Sequence, residues 1–250
     1  MERTPMTASV IATGEAANWA PPVTHLNAPA SPPGMPNLNV HGRRLMGPLQ
    51  GFGQLRHKTY NIRLVGAQVS PAQVITVWRQ RFASFWPDGN HFCTADSSIR
   101  AGSVAFMDLA LPARMRLCTG VLVVYTDETS FCFMTPEGHM FGGLITFSAH
   151  DEDGTTIAQV QPLIRAGDPL YELTLRLGLG GRIEDEFWQQ TLKNLAAHFG
   201  VQGSVRHRST LIDADVQWSK AGNIWYNAAI RTLIHMLALP LHRVQRPTMH

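Results

Sequence analysis

His139 closes a short turn, Pro136-Glu137-Gly138-His139, between two stretches of alternating apolar residues. A neutral imidazole at a cavity mouth can polarise a carbonyl or move a proton, so His139 is the candidate acid/base. The competing and blander reading is a turn histidine bonded to nearby backbone. The other ten of the eleven histidines fall in no HExxH or Ser-His-Asp signature. Glu184, Asp185 and Glu186 stand together, but a helix N-terminus explains such acids better than a metal or acid site. Arg165 and Asp168 read as a surface ion pair, and Arg43-Arg44 as a solvated edge. Gly178-Leu179-Gly180-Gly181 lacks the GxGxxG spacing and the parallel βα context of a nucleotide loop. Cys93, Cys118 and Cys132 show no CxxC spacing, which argues against a disulfide framework and structural zinc. No metal and no cofactor is therefore expected.

Several elements have to position these groups. Residues 182–199 place Ile183, Phe187, Trp188, Leu192, Leu195, Ala196 and Phe199 at helical spacing, with Glu184, Asp185 and Gln189 on the far side. A helix of this length is marginal alone and needs a large apolar partner. Upstream the period is that of a sheet, with strands predicted over 104–111, 118–126, 130–135, 140–149 and 155–164. The turns between them are short, so neighbours run antiparallel. Before them come a strand over 58–65, with Tyr60, Ile62 and Leu64 inward and Lys58 exposed, and a helix over 72–86. Ser70-Pro71 caps that helix, and Asp168-Pro169 opens a later short helix or turn. The fold class is α+β, a curved antiparallel sheet wrapped around a long C-terminal helix.

This layout resembles the helix-grip fold of the START and polyketide-cyclase (SRPBCC) superfamily. Within it, SFCFMTPEGHMFGGLITFSAHDEDGTTIAQVQPLIRAGDPLYELTLRLG is similar to a bacterial branch having an aromatic strand, a turn ending Gly-His, a second strand, an acidic-Gly turn and the long helix in this order. The resemblance covers about residues 57–200. It implies a cavity between helix and sheet that holds a lipid- or polyketide-like molecule, and in some members cyclisation or dehydration. Tyr125, Phe133, His139, Phe141, Phe147 and Trp188 are the residues expected to line it, with His139 as the acid/base should the protein be an enzyme. The aromatic residues are equally core residues by type. Alternation groups Val121, Val123 and Tyr125 on one face and Phe131 with Phe133, without saying which face meets the helix.

The flanks read differently. Residues 1–50 form an irregular or disordered lead, with seven prolines before residue 37 and Trp19 as the one side chain suited to docking. In residues 204–250, VRHRSTLI reads as a last strand or an extended arm, and Asn223–Leu239 as an apolar helix stopped by Pro240. Arg206, Arg208, Lys220, Arg231, Arg243 and Arg246 face only Asp213 and Asp215 there, so the net charge of +3 resides in the tail. That distribution argues against a nucleic-acid-binding main domain. Three roles stay open for the 223–239 helix: packing on its own domain, a homodimer contact, or an interfacial membrane helix. The first is preferred. No apolar run reaches the roughly 18 residues of a membrane span, and neither a secretory peptide nor a disulfide framework is visible, so a reducing cytoplasm is the expected compartment.

Overall fold

The computed structural model describes residues 17–28, 30–94 and 98–244, with residues 239–244 as backbone only. Its centre is one antiparallel sheet. β1 (Leu45–Met46), β2 (Leu55–Arg63), β3 (His91–Thr94), β4 (Val104–Ala110), β5 (Arg116–Thr126), β6 (Ser130–Pro136), β7 (Phe141–Glu152), β8 (Thr155–Ala166) and β9 (Arg206–Asp213) join in the order β3-β4-β5-β6-β7-β8-β2-β9, with β1 on β6. The meander follows from its turns. Asp153 and Gly154, both at positive φ (52° and 73°), link Glu152 to its partner Thr155, as a two-residue hairpin requires.

Among the described residues four α-helices join the sheet: α1 (Pro71–Gln80), α2 (Pro169–Arg176), α3 (Leu179–His198) and α4 (Ala228–Val244). Ser70 caps α1 in a reciprocal box with Gln73, and Asp168 Oδ1 caps α2 by accepting from Leu170 N at 2.8 Å and Tyr171 N at 3.1 Å. α1 and α3 cover the inner face. Val74, Ile75 and Trp78 from the first and Trp188, Leu192, Leu195 and Ala196 from the second share one core with Tyr60, Ile62, Val121, Val123, Phe131, Phe133 and Phe147. A curved antiparallel sheet closed over a long helix is thus the architecture.

The outer face is covered too. Leu26, Ala28 and Val40 pack with Val104, Phe106 and Leu122, and Trp19 meets Tyr125 with ring centroids 4.6 Å apart. The segment expected as an irregular or disordered lead is therefore anchored through Leu26 and Ala28, because the outer face of β4 and β5 is apolar as well, while residues 21–25 between the contacts stay exposed. Residues 1–16 lie outside the described residues.

Two further elements differ from the sequence reading, and a third settles an open one. The chain forms a strand at His91–Thr94 in what reads as a loop. Of the two readings left open for VRHRSTLI, the structure takes the strand: β9 pairs along β2. The terminal helix is divided: a 3₁₀ segment over Trp218–Tyr226 ends at Asn227, whose Oδ1 accepts from Ile230 N at 3.0 Å and so starts α4, which runs on past Pro240.

Candidate functional site

The middle of the helix–sheet space is filled by rings. Phe82 sits edge-on to Phe131, Phe133 and Phe147 at centroid distances of 5.7, 5.4 and 5.1 Å, and Phe147 packs on Trp188 at 5.5 Å. Phe133, Phe147 and Trp188 are brought together as expected, but as packed core. Tyr125 is not with them. A bulge between Val123 and Tyr125 shifts the register, leaving Val123 in the inner core while Tyr125 meets Trp19 on the outer face, its hydroxyl donating to Asp127 Oδ2 at 2.8 Å.

His139 is buried, and its Nδ1 accepts from Phe141 N at 3.0 Å. Burial lowers its pKa to about 4, with the Phe141 backbone opposing the shift. At neutral pH the ring is therefore an uncharged backbone acceptor that holds the turn. It also lies outside the pocket described next. Gly138 beside it has φ 89°, and a Cβ there would stand 2.1 Å from Tyr226 O, so the turn is pinned under the C-terminal 3₁₀ segment.

Space opens instead at the N-terminal end of α3. A pocket of about 280 Å³ lies between α2, α3 and the strands β2, β7, β8 and β9. Phe141, Ile164 and Leu175 form its apolar wall; Arg56, Lys58, Glu184, Asp185 and His207 its polar one. Phe141 is the one expected ligand-binding residue that lines it.

Lys58 organises the polar wall. It shares the inward register of Tyr60 and Ile62 on β2, and only 6% of it is exposed. Its Nζ donates to Glu184 Oε2 at 2.8 Å and to Asp185 Oδ1 at 2.7 Å. Tyr60 OH donates to the same Asp185 oxygen at 2.6 Å, and the His207 ring stacks on Tyr60 at 4.6 Å with Nε2 3.7 Å from that oxygen. Burial would lower the Lys58 pKa, but the two carboxylates outweigh it and hold the ammonium charged. Burial also raises the phenol of Tyr60 beyond its usual range, so it stays a donor. Glu184 is 7% exposed; burial raises its carboxyl pKa and Lys58 only partly offsets this. Its second oxygen, Oε1, is buried without a hydrogen-bond partner.

These acids therefore do not stand where the sequence reading put them. α3 begins at Leu179, so Glu184 and Asp185 belong to its second turn, and Glu184 falls on the same buried face as Trp188 and Leu192. The signal for this was present: a lysine two residues from an inward tyrosine must be paired when buried. Arg165 and Asp168 are not a surface pair either. Both are buried. Arg165 donates to Gly53 O at 2.7 Å and Asp215 O at 3.0 Å and pairs with Asp213, while Asp168 Oδ2 accepts from Asn227 Nδ2 at 2.7 Å.

No group of three or more His, Cys, Asp or Glu among the described residues is placed to hold a metal ion. No protein-family model matches the chain, and no curated protein matches it. Solved structures do. Protein Ms6760 from Mycobacterium smegmatis is 15% identical with a TM-score of 0.40, covering 58% of this chain and 90% of that one. The di-domain ARO/CYC StfQ of the steffimycin biosynthetic pathway is 12% identical with a TM-score of 0.45, covering 59% of this chain and 53% of that one, so the match spans about half of StfQ. Ara h 8.0201 is 11% identical with a TM-score of 0.41, covering 58% and 97%. Likeness at this level assigns neither an activity nor a ligand.

Proposed function

We propose that the protein binds a small organic molecule with a mainly apolar body and a hydrogen-bond donor group in the pocket beside Glu184. The observation that carries this is the buried, partnerless Glu184 Oε1 in a residue that lines the pocket. Leaving a carboxylate oxygen unmatched in a buried site costs free energy, and a ligand donor would recover it once the Glu184 side chain turns that oxygen to the pocket. The apolar body would rest on Phe141, Ile164 and Leu175. A pocket of about 280 Å³ lies just below the roughly 300–1,000 Å³ usual for ligand sites, which favours a compact ring system over a long-chain lipid. The helix–sheet layout supports the same placing that the helix-grip resemblance implies, with the ligand at one end of the space and not at its ring-filled centre.

The test is saturation-transfer NMR with 2-naphthol and its methyl ether, which lacks the donor. Binding of 2-naphthol in preference to the ether, with the preference lost in Glu184→Leu, is the expected result. Equal binding of both, or of neither, refutes the reading. A second reading, proton transfer to a bound substrate, is favoured by the raised pKa of Glu184. It requires a turnover that Glu184→Gln abolishes while binding survives.

A further inference from the structure

α4 is docked by one face and bare on the other. Ala228 and Thr232 are buried; Thr232 Oγ1 accepts from Cys118 N at 3.2 Å, and Arg231 Nε donates to Asn39 Oδ1 at 2.9 Å. The opposite face carries Ile230, Leu233, Ile234 and Leu237 at i, i+3, i+4 and i+7, all exposed, Leu237 by 66%. Just before the helix, Trp225 is 81% exposed. Four aliphatic side chains and an indole in water form an apolar surface that a partner must cover.

Charge says which partner. After Asp215 the sequence has Lys220, Arg231, Arg243 and Arg246 and no acid at all. On the neighbouring loop Arg43 lies over the Tyr226 ring at 5.8 Å. Burial and then the like charge of Arg231 lower its pKa, with Glu137 and Tyr226 acting the other way. A second copy would bring the same excess of positive charge, with no acid after Asp215 to meet it. A layer of anionic headgroups instead satisfies the cations while its acyl boundary takes the aliphatic stripe. Trp225 and Tyr226 fit headgroup depth, where rings with one polar edge collect. Among the described residues no helix is long and apolar enough to cross a membrane, so α4 would lie in the plane of the surface.

We propose that α4, led by Trp225, docks the protein on an anionic lipid surface. This goes beyond the pocket reading and does not depend on it.

Flotation of the full chain with phosphatidylcholine vesicles, with and without phosphatidylserine, tests the proposal. Flotation should require phosphatidylserine and fade as salt rises, since the attraction is screened. Ile234→Glu combined with Leu237→Glu should weaken it about 100-fold, and Arg231→Gln roughly fivefold. The glutamate variant must keep the wild-type urea melt; Trp225→Ser, at a side chain still more exposed, gives an independent reading and should also reduce flotation. Wild-type protein that stays unbound overturns the proposal, as does flotation on neutral vesicles indifferent to salt. So does lipid-free protein sedimenting at twice 27.6 kDa and dissociated by the glutamate variant, which assigns the face to a second copy.

Discussion

Replacing Lys58 with methionine isolates the interaction on which the polar wall rests. The lysine side chain is 8% exposed and that of Glu184 5%, so the pair is buried on both sides. Removing one partner of a buried pair costs about 3–5 kcal/mol, because the other is left uncompensated. Glu184 would be left with neither oxygen paired, whereas Asp185 keeps its bond from Tyr60. The loss must depend on pH. A carboxyl whose folded pKa is raised loses its proton first in the unfolded chain. Stability therefore falls as pH rises from the ordinary carboxyl value of 4.5 through the folded pKa, by about 1.4 kcal/mol per unit between the two. Lys58→Met should be only mildly destabilised near pH 4 and severely so near pH 7. Lys58→Met with Glu184→Leu, which removes both charges, should recover most of the loss at pH 7. Urea melts of the three proteins across this range are the assay. A Lys58→Met variant with wild-type stability at pH 7, or a loss that does not vary with pH, refutes the buried pair.

Other variants probe the rest of the account. Trp188→Ala should cost about 3–5 kcal/mol in urea melts, since its ring is packed on Phe147 and Phe187 and does not line an open cavity. His139 works with the opposite pH sign to Glu184: its folded pKa of about 4 lies below the ordinary 6.5, so acid should remove about 3 kcal/mol as pH falls from 6.5 to 4. That acid sensitivity should vanish in His139→Gln, with 2-naphthol binding unchanged. Gly138→Ala forces a side chain into positive φ and against Tyr226 O, and should cost about 2 kcal/mol or more while speeding tryptic cleavage at Lys220 and Arg231.

The fold was legible where local chemistry and pattern agree. Ser70-Pro71 and Asp168-Pro169 mark helix starts by side-chain capping, and Asp153-Gly154 forces a tight hairpin, so the meander and the shared face of Phe131 and Phe133 follow from sequence, while that this face is the inner one comes from the structure. It was illegible where one residue breaks the period. The bulge after Val123 sends Tyr125 outward, and Asn227 interrupts a continuous helical pattern because its side chain caps α4 instead of sitting on it. Strand β3 has only four residues, too few for its alternation to stand out, and β9 is exposed along nearly its whole length, which is why the sequence left it open between a strand and an extended arm. The site was missed for a related reason. Lys58 and Glu184 are charged, and charge alone reads as surface; only their positions on the inward faces of β2 and α3 show that each is buried because the other is there.

Native mass spectrometry of the protein purified from its own source tests the central claim most directly. The account predicts a retained molecule compact enough for about 280 Å³, carrying a hydroxyl or amine, and absent from a Glu184→Leu variant expressed and purified in the same way. A retained long-chain lipid, or retention that is the same in both proteins, would contradict it.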